Sequence, residues 1–191
     1  MRKLVLVRHS QPWIERDVPA AEWRLSELGR RRAESMAARL RGYRANLIWC
    51  SREPKAVETA EIVGSALGIP VRIKAGLEEH HRQNAPFFPT TQEFEQAIEE
   101  FFCQPSRLVF GSETASQACG RFSAAIEAVL EADSGDAIVV THGTVMTLYL
   151  AQVAGLQPMT FWRDLQSPCL VEVGLSSMRV GPIVVSDERE R

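Results

Sequence analysis

The sequence predicts a three-layer α/β/α sandwich built on a mostly parallel, doubly wound sheet. Two short runs, residues 4–7 and 137–140, are wholly apolar, which is typical of strands that are buried on both faces. Amphipathic helical segments alternate with these and with further short strands, as expected of βα units. The length of 191 residues suits one well-cored domain, and we expect a single domain with an irregular, pocket-covering insertion at about residues 80–112.

Apolar spacing and helix-ending residues place the elements in order. In the first half, Ser26 and Pro54 suit helix starts, and Gly68 suits a helix end. In the second half, apolar residues recur at helical spacing over residues 114–132, and the next helix is apolar nearly all round, so we expect it to be buried until Gly155 ends it. The predicted strands are 4–7, 46–50, 71–73, 137–140, 170–174 and 179–185, and the predicted helices are 26–40, 54–67, 91–102, 114–132 and 143–154.

The composition is that of an ordinary globular protein, with 45% hydrophobic and 24% charged residues. A net charge of -2 provides no general field for nucleic acid or for an anionic membrane surface, so any anion site must be local. The apolar runs are too short to span a bilayer, and no export segment is expected. Four scattered cysteines favour reduced thiols and a cytoplasmic location. The oligomeric state is left open.

Charged residues and histidines follow the ends of three predicted strands. Arg8 and His9 follow the first strand, His142 and Gly143 follow another, and the third leads into a turn that contains Glu79. Ligands of open α/β sheets lie outside the carboxyl ends of the strands. Gly143 opens a helix whose N-terminal amides can hold an anion, and the guanidinium of Arg8 suits a phosphate. Because a neutral imidazole can attack phosphorus, the arrangement predicts a site for a phosphoryl group.

Several short motifs resemble those of the histidine phosphatase, or phosphoglycerate mutase-like, superfamily, in order and spacing across nearly the whole chain. They are Leu-Val-Arg8-His9, Leu25-Ser26-x-x-Gly29, Ser51 followed by Lys55-Ala-Val-Glu-Thr-Ala, Leu77-Glu-Glu79 and Thr141-His142-Gly143. The resemblance implies a phosphatase that forms a phosphohistidine on His9, with Arg8 and His142 binding the phosphate. It also implies that Glu79 is the general acid and base, for which it needs a raised pKa, and that no metal or other cofactor takes part. Spacing alone leaves Glu78 and Glu79 equally suitable; the family's Leu-x-Glu pattern selects Glu79.

Three positions depart from the family pattern. Ser10 and Gln83 stand where glycine is common, and Lys55 stands where arginine is usual, with Arg52 a possible compensating cation. A lysine supplies charge without a bidentate fork; from the family pattern, we expect Lys55→Arg to retain turnover. The residues expected to bind substrate are Arg8, Ser10, Lys55, His142 and Gly143.

The predicted function is hydrolysis of a small phosphomonoester whose identity the sequence leaves open. Two alternatives share the fold: a phospholigand-binding member without catalysis, and a phosphoglycerate-type mutase. A third is a metallohydrolase that gathers zinc on His9, His80 or His81, His142 and Glu79. Candidate pocket walls are Trp13, Trp23, Arg24, Arg82 and residues 87–88.

Overall fold

The computed structural model describes residues 2–83, 85 and 88–186. Six strands form one sheet in the order β3-β2-β4-β1-β5-β6. The strands are β1 Lys3–Arg8, β2 Ile48–Cys50, β3 Val71–Ile73, β4 Ala137–Thr141, β5 Cys169–Gly174 and β6 Arg179–Val185. The helices are α1 Glu27–Leu40, α2 Pro54–Leu67, α3 Thr91–Cys103, α4 Ala115–Ala132, α5 Gly143–Ala154 and α6 Pro158–Asp164, with a short 3₁₀ helix at Ala20–Glu22.

The sheet is mostly parallel, as predicted. Strands β1, β2, β3 and β4 pair in parallel, whereas β5 pairs in antiparallel fashion with both of its neighbours, β1 and β6. Successive side chains of β1 face opposite sides of the sheet. Val5 and Val7 pack into the core beneath α1 and α2, whereas Leu4 and Leu6 pack into the core that contains α4 and α5. A helical layer therefore covers each face of the sheet.

The residues predicted to begin and end helices do so. The hydroxyl of Ser26 accepts a hydrogen bond from the backbone N–H of Gly29 and caps α1. Pro54 is the first residue of α2, and Gly68 and Gly155 end α2 and α5 in the left-handed conformation, with φ of 72° and 66°. Strand β2 is shorter than predicted, since it begins at Ile48.

The insertion contains α3, which begins with a capping box formed by Thr90 and Glu93. Helix α6, which the sequence analysis did not predict, packs against α3, where the rings of Phe94 and Trp162 lie 5.8 Å apart. Phe87, one of the predicted pocket-wall residues, lies outside the described residues. Within the described ranges, no helix has the length and apolarity needed to cross a membrane.

Candidate active site

The ends of β1 and β4 bring the two predicted histidines together. Arg8 and Thr141 are register partners in the parallel pair, and the backbone N–H of His9 donates to the carbonyl of Thr141 at 2.8 Å. The ring centroids of His9 and His142 lie 5.1 Å apart. The topology therefore places both imidazoles at the carboxyl edge of the sheet, where they were predicted.

His9 is held as a neutral imidazole with one fixed ring nitrogen. Its Nδ1 lies 2.7 Å from the backbone carbonyl of Ser10, and because a carbonyl only accepts, Nδ1 carries the proton and Nε2 keeps its lone pair. Burial, followed by the charges of His142, Lys55 and Arg8, holds the pKa of His9 well below its ordinary value.

Arg8 lies against the start of α5. Its guanidinium donates to the backbone carbonyl of Leu165, and a Cβ on Gly143 would lie 3.3 Å from both Cζ and Nε of Arg8. A Cβ at that distance is tightly crowded, so Gly143 allows the guanidinium to approach the helix backbone.

Glu79 occupies the N-terminus of α5. Its carboxylate oxygens accept from the backbone N–H groups of Thr144 at 3.1 Å and Val145 at 3.2 Å, and from that of His80 at 2.9 Å. Glu79 therefore takes amides that we expected a phosphoryl group to use.

The charge state of Glu79 also differs from the expectation. Burial acts to raise the pKa of this carboxyl, but Arg82, His142 and the amides of Thr144 and His80 outweigh it and hold the pKa well below its ordinary value. The expectation of a raised pKa is therefore wrong for this structure.

Glu78 is committed elsewhere. Its oxygens lie 2.6 Å from Nε of Arg52 and 2.7 Å from the backbone N of Gly76. This contact also occupies Arg52, so the structure does not bear out the suggestion that Arg52 compensates for the lysine at position 55.

Ser10 has no free polar group for a substrate. It is fully buried, its hydroxyl donates to the carbonyl of Gly29 at 2.6 Å, and its backbone N–H donates to Oγ1 of Thr59 at 2.9 Å. These bonds give Ser10 a structural role and leave it no N–H or O–H donor for a substrate in this structure, and the expectation that Ser10 binds substrate stays a prediction.

Lys55 lies at the site, and its ammonium is held by protein groups. Its charge acts on both His9 and His142, while Nζ donates to Oε2 of Glu53 at 2.5 Å and to the carbonyl of Ala20 at 2.6 Å. Sequence reasoning missed Glu53. The only signal was an acidic residue two positions before the lysine, and such spacing is common on protein surfaces.

Among the pocket-wall candidates that the structure describes, Arg82 alone contacts the site residues described above through its side chain. Its Nη2 donates to Oγ1 of Thr144 at 3.0 Å and lies 3.7 Å from a carboxylate oxygen of Glu79, and the guanidinium stacks 5.0 Å from the ring centre of Phe94. The side chains of the other described candidates lie elsewhere. Trp13 is 64% exposed, Trp23 Nε1 donates to the carbonyls of Glu15 and Val18, Arg24 pairs with Glu58, and Phe88 packs on Phe94 and Phe110. Phe87 lies outside the described residues.

Buried polar atoms without hydrogen-bond partners concentrate at this site. In the described part of the chain they are Arg8 Nε, His80 Nδ1, Arg82 Nε and both ring nitrogens of His142. Glu58 Oε2 also makes no hydrogen bond, but it forms an ion pair away from the site, with Nη2 of Arg30 at 2.8 Å. Burying such a group without a partner costs about 1–3 kcal/mol. Arg8, Arg82 and His142 together therefore offer N–H donors that match the oxygens of an anionic group.

The metal ligands of the alternative hypothesis do not come together. His80 is packed on the ring of Phe101 at 4.2 Å, and its Nε2 lies 3.1 Å from the carbonyl of Glu113, while His81 lies 3.6 Å from the Glu113 carboxylate. Across the described ranges, no group of three or more His, Cys, Asp or Glu side chains is arranged to hold a metal ion.

Comparisons with known proteins agree with this geometry. Solved structures that share the fold include Bacillus stearothermophilus YhfR, which is 24% identical over 99% of this chain and 98% of its own, with a TM-score of 0.73. A mycobacterial glucosyl-3-phosphoglycerate phosphatase is 19% identical over 95% of this chain and 97% of its own, with a TM-score of 0.72. A phosphoserine phosphatase from Entamoeba histolytica is 16% identical over 98% of this chain and 98% of its own, with a TM-score of 0.72. No curated protein matches the sequence. The model of the histidine phosphatase superfamily (branch 1) matches residues 4–179, nearly the whole chain. The protein therefore belongs to branch 1 of the histidine phosphatase superfamily.

Proposed function

We propose that the protein is a phosphatase that hydrolyses a small phosphomonoester through a phosphohistidine on His9. The observation that carries the proposal is the set of buried, unpartnered N–H groups on Arg8, Arg82 and His142 beside a histidine whose Nε2 lone pair is free. Phosphoryl transfer needs little from a protein beyond positioning and charge stabilisation. The geometry and the family membership both favour this reaction.

The proposed reaction has two steps. In the first, Nε2 of His9 attacks phosphorus, the bond to the alcohol oxygen breaks, and the leaving oxygen takes a proton from the carboxyl of Glu79. In the second, Glu79 takes a proton from water, the water oxygen attacks the phosphohistidine, and phosphate leaves as Nε2 regains its electron pair. Arg8, Arg82 and His142 stabilise the phosphoryl oxygens throughout.

The first step requires protonated Glu79, although its carboxyl is ionised in this structure. A phosphoryl dianion beside it disfavours a second negative charge and competes for the guanidinium of Arg82, which is the first of the groups that lower the pKa of Glu79. We therefore expect substrate binding to raise the pKa of Glu79, so that the proton is taken up with the phosphoester.

The similar structures support a small phosphorylated substrate. The mycobacterial phosphatase is described in complexes with VO3 and with inorganic phosphate, and the Entamoeba histolytica phosphatase in complex with 3-phosphoglyceric acid. A panel of phosphorylated metabolites assayed for phosphate release identifies the preferred alcohol. Release of phosphate to water, with no return to an acceptor alcohol, separates a phosphatase from a mutase.

Trapping the intermediate tests the nucleophile. Wild type mixed rapidly with a ³²P-labelled phosphoester and quenched in base retains a label that is lost in acid, as a phosphohistidine is. We expect His9→Ala to abolish both label and turnover. His81→Ala, which removes a half-exposed histidine near the site, is the control and retains both. Wild-type turnover in His9→Ala contradicts the proposal, and absence of label and turnover in wild type favours the non-catalytic alternative.

The proposal includes metal independence and a cytoplasmic location. We expect prolonged chelation to leave the rate of aryl phosphate hydrolysis unchanged. A rate that chelation abolishes and added zinc or magnesium restores contradicts this. The free state of Cys50, Cys103, Cys119 and Cys169 supports a reducing compartment.

A further inference from the structure

A single buried carboxylate, that of Glu53, joins three residues of the candidate active site. Its Oε2 accepts from Nζ of Lys55 at 2.5 Å, and its Oε1 accepts from the backbone N–H of Glu79 at 2.8 Å. The same Oε1 lies 3.5 Å from Nε2 of His142, and only 8% of the side chain is exposed. Glu53 therefore contacts Lys55, which is expected to bind phosphate, Glu79, which is the expected proton donor, and His142.

The contacts of Lys55 restrict where its charge can point. An ammonium has three N–H donors, and two of them are used by Glu53 and by the carbonyl of Ala20. The backbone of Lys55 is fixed as well, because the N–H of Lys55 donates to the carbonyl of Trp23 at 3.1 Å and its carbonyl accepts from Oγ1 of Thr59 at 2.7 Å. One N–H of Lys55 is left for a substrate, and its direction is set by the other two.

We infer that Glu53 is a positioning residue which orients the last N–H of Lys55 toward the phosphoryl group, so that Glu53 and Lys55 act as a unit. A lysine alone is a point charge on a flexible four-carbon stem, unlike the rigid fork of an arginine. The carboxylate supplies the missing rigidity, and the pair stands where the family pattern has one arginine. This inference rests on the proposed function.

The inference reverses the expectation for Lys55→Arg. A guanidinium is larger than an ammonium and binds a carboxylate through two parallel N–H groups. With Glu53 in reach, such an arginine bonds to Glu53 and is drawn away from the phosphoryl group. We therefore expect Lys55→Arg to lose turnover, in contrast to the retention that the family pattern alone suggests.

A double-mutant cycle tests whether the two residues act together. The proteins are wild type, Glu53→Gln, Lys55→Met and the double variant. The control is Glu58→Gln, which removes a carboxylate of α2, the helix that contains Lys55; this carboxylate pairs with Arg24 and Arg30. The carboxylate accepts from Lys55 and from the Glu79 N–H through separate oxygens, and glutamine replaces one of these oxygens by an NH2 group that cannot accept, so Glu53→Gln loses this arrangement. Steady-state hydrolysis of an aryl phosphate and the affinity for orthovanadate are measured for each.

We expect Glu53→Gln to lower kcat/KM about 10-fold, mainly through kcat, and Lys55→Met to lower it about 100-fold. The double variant should lie within about 3-fold of Lys55→Met, because no ammonium is left to orient and the single glutamine oxygen can then accept from the backbone N–H of Glu79. Losses that multiply, or a Glu53→Gln enzyme equal to Glu58→Gln, overturn the inference. If Glu53→Gln does not fold, kcat/KM of Lys55→Met is compared with that of the double variant, and a difference of more than about 3-fold overturns the inference.

The same proteins separate this inference from the proposed function. Wild type that hydrolyses the aryl phosphate while the cycle is additive contradicts the inference alone. Wild type that does not hydrolyse it contradicts the proposed function, and the cycle is then read from orthovanadate affinity, with the same order of losses expected. Wild type that neither hydrolyses the ester nor binds orthovanadate overturns both.

Discussion

The two histidines of the candidate active site differ in what holds their rings. His9 has Nδ1 fixed by the carbonyl of Ser10 at 2.7 Å, which orients the ring and leaves the lone pair of Nε2 free, as the proposed attack on phosphorus requires. His142 is fully buried, and neither of its ring nitrogens has a hydrogen-bond partner among the described residues. Its Nε2 lies 3.5 Å from Oε1 of Glu53 without forming a hydrogen bond, so a ring N–H is available to a phosphoryl oxygen, which suits a binding role.

Replacing Ser10 by the glycine that is common in the family tests its structural role. Ser10→Gly removes the hydrogen bond to the carbonyl of Gly29, so we expect the free energy of unfolding to fall by about 1–2 kcal/mol. Turnover should stay within about 3-fold of wild type, since the hydroxyl makes no contact that a substrate needs. Urea unfolding and steady-state kinetics measure the two. A large loss of turnover at unchanged stability shows that Ser10 binds substrate after all.

Residue positions in the site were predictable where a motif fixes them and unpredictable where tertiary contacts do. His9, His142 and Glu79 follow strand ends whose convergence is a property of parallel sheets. The contact of Glu53 with Glu79 joins residues 26 positions apart, and no local pattern marks it. The low pKa of Glu79 likewise arises from Arg82 and from the amides of α5, which only the folded chain brings to it.

At the scale of elements, the predictable segments are those with strong local signals. Strands β1 and β4 are wholly apolar in their centres, and α4 has apolar residues in register through its length. Helix α6 has seven residues and no buried position, so it carries no periodicity to detect. Its packing against α3 stabilises it, and that contact is tertiary.

Two glycine-to-alanine substitutions on helices separate helix propensity from crowding. At Gly120, inside α4, a Cβ has no neighbour within 4 Å, so Gly120→Ala should raise the free energy of unfolding by about 1 kcal/mol and leave turnover unchanged. At Gly143, a Cβ would lie 3.3 Å from the guanidinium of Arg8. Gly143→Ala should displace Arg8 and lower kcat/KM about 10-fold or more. Equal turnover in the two variants contradicts the role given to Gly143.

At the scale of the whole molecule, the insertion and the site are linked through one side chain. Arg82 stacks on Phe94 of α3 and bonds to Thr144 at the start of α5. Helix α3 is tied in turn to α6, where Nε of Arg163 lies 3.0 Å from the carboxylate of Glu95. The single-domain organisation and the pocket-covering role of the insertion stay predictions, and Arg82 is the residue through which the insertion would act.

The acid stability of the molecule follows from its buried histidines. His9, His80 and His142 are each less than a tenth exposed, and burial is the first cause that lowers the pKa of each below the ordinary value of 6.5. Below pH 6.5 the unfolded chain therefore binds protons that the folded protein does not. The free energy of unfolding should therefore fall as the pH is lowered through this range. The slope approaches about 1.4 kcal/mol per pH unit for each histidine that stays neutral in the folded protein.

Substitution of one histidine tests this account. The pKa of Glu79 is also lowered, but this carboxyl reduces the free energy of unfolding only when the pH falls below its ordinary pKa of 4.5. The window from pH 6.5 to 5 therefore reports on the histidines. In that window His142→Asn should reduce the pH slope of the free energy of unfolding relative to wild type, by about 0.7 kcal/mol per pH unit at pH 6.5 and by about 1.4 kcal/mol per pH unit near pH 5. His81→Asn, which replaces a ring that is 39% exposed, is the matched control and should leave the slope as it is. Urea unfolding at half-unit steps of pH gives both slopes, and equal slopes in His142→Asn and wild type would show that the buried imidazole of His142 accepts a proton in the folded protein.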